Sequence, residues 1–408
     1  MMRINKIKSE KIKANDVREV SVDRHACGFR MIACLLLACL LLAVISGCGS
    51  GSGEGGKGAV GLPASTGKME LQYATQFEVE YLEGDYALIT IGDDRFLMVP
   101  EGAEAPSGLE ESIKVIHQPF TSIYLAASSA MDYFRQLDAL SAVTMTSTKR
   151  EDWSFKEVQD ALDAEEMFYI GKYSAPDYET IVDENCGLAI ESTMIYHSPS
   201  IKEKLETMGI PVMVERSSYE PDPLGRMEWI KLYGLLTGKS EEADKFFEDQ
   251  IALLKDTVKD DPSGKTVAFF YVSSSGSVNV RKPGDYISKM IDMAGASYIL
   301  SQDAVEEEDN ALSTMNMDME SFYNQARDAD ILIYNSTIEG GLDSVGQLIE
   351  KNKLFADFKA VKEGHVWCTD NNTFQQATGL SRMISEFYAV FHDQVKEGQK
   401  LEFLYPVH

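Results

Sequence analysis

Cysteine is scarce in this chain. There are six in 408 residues, and four of them, Cys27, Cys34, Cys39 and Cys48, fall before residue 49. Only Cys186 and Cys368 remain, too few for a disulfide framework, and both read as buried free thiols in separate strands. Positive charge is also in deficit. Residues 1–30 hold eight Lys/Arg and four Asp/Glu; subtracting these from the totals of 38 and 65 leaves 30 basic against 61 acidic residues, a net charge of −31. A nucleic-acid face needs clustered positive charge, which this balance excludes. It describes a soluble, self-repelling surface and still leaves room for a pocket with a few local cations. Catalytic signatures are missing too: no G-x-S-x-G elbow and no H-E-x-x-H. Gly264-Lys265-Thr266 echoes the end of a P-loop, but residue 259 is Lys where the motif needs Gly, and the segment precedes its strand. Gly51, Gly53 and Gly56 spell G-x-G-x-x-G with no strand before them and no helix after.

What is present begins with a leader. Residues 31–45, MIACLLLACLLLAVI, follow a basic stretch and fall short of the ~20 apolar residues of a spanning helix. They have the length and flanks of a signal-peptide core rather than a plain membrane anchor. Ile45-Ser46-Gly47-Cys48 fits a bacterial lipobox, in which the cysteine is lipidated and becomes the first mature residue. The sequence therefore reads as a signal peptide over 1–47, then a lipidated Cys48 and a Gly/Ser-rich flexible tether over 48–68. The chain is then extracytoplasmic, held to the membrane by lipid.

The folded part is organised around residues 220–259, which read as two tandem helices. Pro223 suits a first helical turn and Gly238 a C-terminal stop. Ser240 is placed to cap the second helix, with Glu241 and Glu242 in its first turn. Ala243, Phe247, Ile251, Leu254 and Val258 form one apolar stripe. Before these helices, residues 69–110 alternate apolar and polar around the turns at Gly84-Asp85 and Gly92-Asp93, as a β-meander does. Then strand-sized apolar runs alternate with helical patterns. IKVI (113–116) precedes a helix over about 121–140, SAVTM (141–145) a helix near 154–164, GLAIES (187–192) a helix over 199–208, and PVMVE (211–215) the helix at 223. The pattern resumes with TVAFFYV (266–272), ILIYN (331–335) and HVWCT (365–369), with a closing helix over about 379–397. Such runs indicate parallel sheets covered on both faces. The expected fold is α/β, with two Rossmann-like lobes over 111–239 and 261–408 joined by a long rigid helix over 240–260.

Ligands of open α/β sheets bind beyond the carboxyl ends of the strands. The residues expected to line a cleft are therefore Gln118, Thr121, Lys149, Lys172, Tyr173, Tyr196, His197, Arg216 and Tyr219 in the first lobe. Arg281, Asn335 and Asn371 are their counterparts in the second. The four cations in this set favour an anionic ligand, with Arg216 and Arg281 facing each other across the cleft. The competing reading pairs them with nearby acids such as Glu215, Glu220 or Asp285.

The lipobox and tether, the P-D-Y-E-T-I-V helix ahead of GLAIES, the E-K-L-E-T-M-G-I-P-V turn, the tandem helices and the late F-K-A-V-K-E-G-H-V-W segment resemble class III solute-binding proteins. These are the iron-siderophore, haem and cobalamin receptors of ABC importers. The resemblance covers nearly all of residues 110–400, and EPDPLGRMEWIK (220–231) resembles one lipoprotein branch of the family. It implies a monomer without catalysis or a built-in cofactor, holding a ferric chelate, haem or corrinoid between its lobes and docking on an ABC permease with its ATPase. It also implies a surface acid on each lobe for docking. Glu203 and Glu206 are the choices in the first lobe, and Glu339 and Asp343 in the second. Two other readings stay open. One is a zinc or manganese receptor built on His117 and His197, short of the three or four protein ligands zinc takes. The other is a secreted hydrolase, which needs a cleft serine within hydrogen-bond reach of a histidine.

Overall fold

The computed structural model describes residues 61–300 and 314–408. The expected signal peptide, Cys48 and the first part of the tether lie outside the described residues. The first sheet runs in chain order through Ser65–Lys68 (β1), Phe77–Leu82 (β2), Ala87–Ile91 (β3), Asp94–Val99 (β4) and Ile113–His117 (β5). β1 to β4 are antiparallel, and β5 joins parallel to β4 with Arg95 opposite Ile113. This sheet departs from the expected meander at both ends. Its first strand lies inside the expected tether, and IKVIH closes this sheet instead of opening the lobe.

The strand that takes its place in the lobe is Ile123–Leu125 (β6), inside the segment expected to be helical from 121 to 140. Three residues are too few to show a period, and the helix itself is only Met131–Gln136. β6 lies at the centre of an all-parallel sheet with Val143–Thr146 (β7), Phe168–Tyr169 (β8), Leu188–Ser192 (β11) and Val212–Glu215 (β12), in the order β12-β11-β6-β7-β8. Gly171–Lys172 (β9) and Ala175–Pro176 (β10) form a small hairpin beside it. The third sheet, in the second lobe, has Thr266–Val272 (β13), Ile331–Tyr334 (β17) and Val366–Thr369 (β18) parallel at its centre. Val278–Arg281 (β14) and Leu404–Pro406 (β19) flank them antiparallel, Thr314–Met317 (β16) pairs antiparallel with β14 at the sheet edge, and Ser297–Tyr298 (β15) pairs parallel with the start of β13.

The helices between the lobes follow the sequence closely. Pro223 opens Pro223–Glu228, where its missing N–H costs nothing, and the Asp222 carboxylate accepts from the Leu224 amide as N-cap. Ile230–Thr237 ends at Gly238, whose φ of +71° is the left-handed conformation that glycine adopts without strain. Ser240–Thr257 follows, 18 residues long, hence ~27 Å. Ser240 is its first residue and not its cap; Lys239 holds the cap position and offers no capping side chain. Ala243, Phe247 and Leu254 form the buried stripe, with Ile251 partly buried beside them. This helix packs on Ile230–Thr237 and on Leu380–Phe391 near the C-terminus. One hydrophobic core runs without a break through the first sheet (Phe77, Ile89), the first lobe (Ile123, Met213), the tandem helices (Trp229, Tyr233, Phe247) and the second lobe (Phe269, Ile291, Phe387).

Hydrogen bonds between the lobes add to this shared core. The fully buried Asp132 carboxylate accepts from the Thr378 amide at 2.8 Å and its hydroxyl at 2.6 Å, and from Arg135 at 2.7 Å. Gln375 accepts from the Ser154 amide and hydroxyl and donates to the Asp152 carbonyl. A joint built this way favours small adjustments over a wide hinge motion.

Candidate functional site

Buried acids on the tandem helices build the site's frame. Glu228 is wholly buried and accepts from the amides of Gln72, Tyr73 and Ala74 at 2.8–3.0 Å, with Lys231 at 3.1 Å. Glu220 accepts from the amides of Thr75 and Gln76 at 2.9–3.0 Å, from the Thr75 hydroxyl and from the indole N–H of Trp229. Two side chains of the EPDPLGRMEWIK segment thus satisfy five consecutive backbone amides, residues 72–76, of the strap that leads into β2. Gly225 is required beneath the strap, because a Cβ there would lie 2.8 Å from the Tyr73 carbonyl oxygen.

The strap delivers Gln76 to a cavity of about 360 Å³ between the lobes. One side is Arg216, Ser218, Tyr219, Glu220 and Pro221, from the turn after β12, together with Gln76; the other is Lys282, Pro283, Gly284 and Asp285, after β14. Arg216 leaves the carboxyl end of β12. Its guanidinium lies 5.1 Å from the Tyr219 ring centre, and it donates to Gln76 Oε1 at 3.2 and 3.3 Å and to the Tyr196 hydroxyl at 3.4 Å. These partners are neutral, and none of the ion pairs among the described residues includes Arg216. Neither Glu215 nor Glu220 neutralises it. Glu215 is buried and accepts from the Ser217 amide; burial raises its pKa, against the opposing pull of Ser217 and Arg226. Glu220 is occupied by the strap.

Arg281 follows the competing reading. It is 6% exposed, pairs with Asp285 at 3.6 Å, and lies over the rings of Tyr286 and Phe374. Lys282, the first residue after β14, lines the cavity in its place. Lys282 and Gln76 were both missed by sequence reasoning. The SSSG turn at 273–276 is the signal that locates Lys282, because it reverses the chain before the cleft residues. Nothing local in the sequence ties Gln76 to residues 140 positions away.

Several other expected residues lie elsewhere. Gln118 and Thr121 precede β6, so they sit at the amino-terminal end of the parallel sheet. They line a separate cavity of about 480 Å³ with Asp138, Leu236 and Lys239, where Gln118 donates to the Leu235 carbonyl at 2.8 Å. That cavity is larger, but no residue of the second lobe lines it. Lys149 is exposed and 3.7 Å from Glu151. Lys172 is exposed on the β9–β10 hairpin, and Tyr173 packs against the first lobe's outer core. Asn335 is buried as the N-cap of Ser336–Glu339, accepting from the Thr337 amide and hydroxyl. Asn371 is exposed after β18, and His197 is exposed after β11. Glu206 is half-buried in a network with Lys114 (2.7 Å), Lys202 and Asp94 that fastens the first sheet to the helix Pro199–Thr207. Glu203 is exposed on the same helix. Glu339 and Asp343 are exposed; Glu339 accepts from the Ser274 amide just beyond β13 and Asp343 from the Gln347 side chain.

The two histidines of the metal reading are on different sheets: His117 ends β5, and His197 follows β11. Among the described residues, no three His, Cys, Asp or Glu side chains are gathered as metal ligands. No described serine hydroxyl is hydrogen-bonded to a histidine; His392 bonds the carbonyls of Tyr388 and Asp261. Cys186 and Cys368 are free thiols, Cys368 buried in β18 and Cys186 half-buried just ahead of β11.

Two α/β lobes, joined by packed helices, enclose a cavity lined from both sides, the kind of interface where small-molecule sites are built. A family model described as periplasmic binding protein matches residues 127–373, more than half of the sequence, and the chain belongs to that family. It is similar to an uncharacterized lipoprotein of Methanocaldococcus jannaschii, 25% identical over 324 residues, 76% of this chain and 75% of the relative. Among solved structures it resembles a periplasmic heme binding protein from Pseudomonas aeruginosa (TM-score 0.55, 16% identity, 71% of this chain and 98% of that one). It also resembles an ABC transporter substrate-binding protein from Listeria monocytogenes (TM-score 0.50, 17% identity, 67% and 100%). At these identities the structural likenesses establish the fold.

Proposed function

We propose that this protein is the extracytoplasmic receptor of an ABC importer, capturing an anionic ligand in the interlobe cavity and passing it to a permease with its ATPase. The ligand class that fits is a ferric siderophore chelate or haem, or a corrinoid bearing anionic groups. The observation that carries this reading is Arg216: a cleft cation held in place by neutral groups only. Arg216 is half-buried, so it has lost part of its hydration with no counter-charge beside it, which is unfavourable. A carboxylate or phosphate of the ligand supplies that charge, and the guanidinium fork matches it bidentately. Lys282, on the facing lobe, lines the same cavity. Native mass spectrometry of protein from its own host, with absorbance scanned for haem, corrinoid and ferric-chelate bands, names the ligand. Arg216→Ala is expected to weaken it at least tenfold while the fold persists; a neutral ligand, or wild-type affinity in the variant, refutes the proposal.

The same reading places the chain on the membrane through Cys48. It rests on the lipobox and on relatives that are named lipoproteins. Cys48→Ala is expected to release the protein from membranes or leave it unprocessed, as fractionation and intact mass report. Unaltered retention and processing would remove the lipid anchor.

A further inference from the structure

The first sheet is the part of the chain that a two-lobe receptor does not require, yet it reaches the cavity. We propose that it forms a third wall of the cleft and that Gln76 is the residue through which it sets the site's preference for anions. This rests on the reading of the cavity as an anion site.

The argument begins with rigidity. Gln76 sits at the end of a strap whose amides are all held by buried carboxylates, its own N–H by Glu220 at 2.9 Å. Its side chain is therefore presented from a fixed backbone, unlike a side chain on a free loop. The amide nitrogen donates to Thr75 Oγ1 at 3.4 Å, which turns the amide oxygen toward Arg216, where it accepts from both Nε and an Nη. The first sheet restricts Arg216 a second time, at the β3–β4 turn: a Cβ on Gly92 would come within 3.3 Å of an Arg216 nitrogen, and Gly92 has a φ of +58°. Tyr219 and Tyr196 hold the remaining sides.

The chemistry follows from the partner being an amide. A glutamine oxygen orients a guanidinium through two hydrogen bonds and leaves its full charge. A glutamate of the same length would make the same bonds and cancel the charge. Two acids lie in the cavity wall: Asp285 is paired with Arg281 on the facing lobe, and the oxygens of Glu220 are engaged by Thr75, Gln76 and Trp229, so Glu220 makes no ion pair with Arg216. The wall thus holds an arginine rigidly and keeps it unneutralised, a preorganised receptor for a carboxylate, phosphate or anionic chelate. Gln76 is a positioning and selectivity residue.

The test compares wild type, Arg216→Ala, Gln76→Glu and Gln76→Leu in the full-length protein. The probes are haemin and ferric citrate as anions and cyanocobalamin as a comparator without a free carboxylate. Expected results are a loss of at least tenfold in anion affinity for Gln76→Glu, a smaller loss of about three- to tenfold for Gln76→Leu, and unchanged thermal unfolding in both. If Arg216→Ala weakens binding while both Gln76 variants bind as wild type does, the role of Gln76 is overturned and the anion site stands. If Arg216→Ala binds every probe as tightly as wild type does, the anion site itself fails and this proposal with it. A second readout needs no ligand: the rate at which phenylglyoxal modifies Arg216, followed by peptide mass spectrometry. It is expected to rise several-fold in Gln76→Leu, where the guanidinium is released. Equal rates overturn the proposal even if no probe binds.

Discussion

Glu228 and Glu191 are both wholly buried glutamates of the first lobe, and their surroundings are opposite. Glu228 is surrounded by donors: three strap amides and the Lys231 ammonium. Glu191, one residue from the end of β11, has neither carboxyl oxygen hydrogen-bonded among the described residues, and burial alone pushes its pKa up to about 8. A buried carboxylate is tolerated when its hydration is replaced and rejected when it is not. Glu228 fixes the strap through these hydrogen bonds, and through the strap the position of Gln76. Glu191 holds its proton into the neutral range, and with Glu215, also raised by burial, makes the lobe sensitive to pH.

The largest effect expected from breaking this comparison is at Glu228. Glu228→Ala strands the amides of Gln72, Tyr73 and Ala74 and the buried ammonium of Lys231. Removing one partner of such a set costs on the order of 3–5 kcal/mol. Urea denaturation should show this loss, and the first sheet should gain amide hydrogen exchange before the second lobe does. A loss below about 1 kcal/mol would mean that the strap finds water as readily as it finds the carboxylate.

The same comparison shows what was legible in the sequence. Apolar runs such as TVAFFYV and ILIY are strand-sized, rich in β-branched and aromatic residues and bounded by turn residues, so the α/β order was readable. Pro223, Gly238 and the stripe through Phe247 marked the central helices for equally local reasons. The three-residue β6 was not readable, and losing it moved Gln118 and Thr121 to the wrong end of the sheet. The cleft suffered more because its walls are built by long-range bonds. Glu220 and Glu228 look like ordinary surface acids until the strap 145 to 156 positions earlier folds onto them. The assignment of Arg216 needed only the end of β12; the identity of its partner needed the whole first sheet.

A smaller effect sharpens the comparison from the other side. In the unfolded chain Glu191 titrates near the ordinary value of 4.5, and in the fold near 8. The folded state therefore holds the proton more tightly. The contribution is fully present below pH 4.5, declines as pH rises from there through 8, and is gone above it. At 1.36 kcal/mol per pH unit, discounted for relaxation around the charge, the loss across this window is on the order of 3 kcal/mol. Other groups titrate in the same range, so the informative quantity is the difference between wild type and Glu191→Gln, which has nothing to ionise at this site. The amide leaves its own polar atoms buried, so the variant is expected to be the less stable protein at pH 5. That deficit should shrink steadily toward pH 8.5, because the wild type then bears the cost of a buried unpartnered carboxylate while the glutamine does not. Chemical denaturation at five or six pH values is sufficient. A stability difference that stays constant from pH 5 to 8.5 would show that Glu191 is hydrated or partnered when it ionises, and the contrast with Glu228 would then be one of degree.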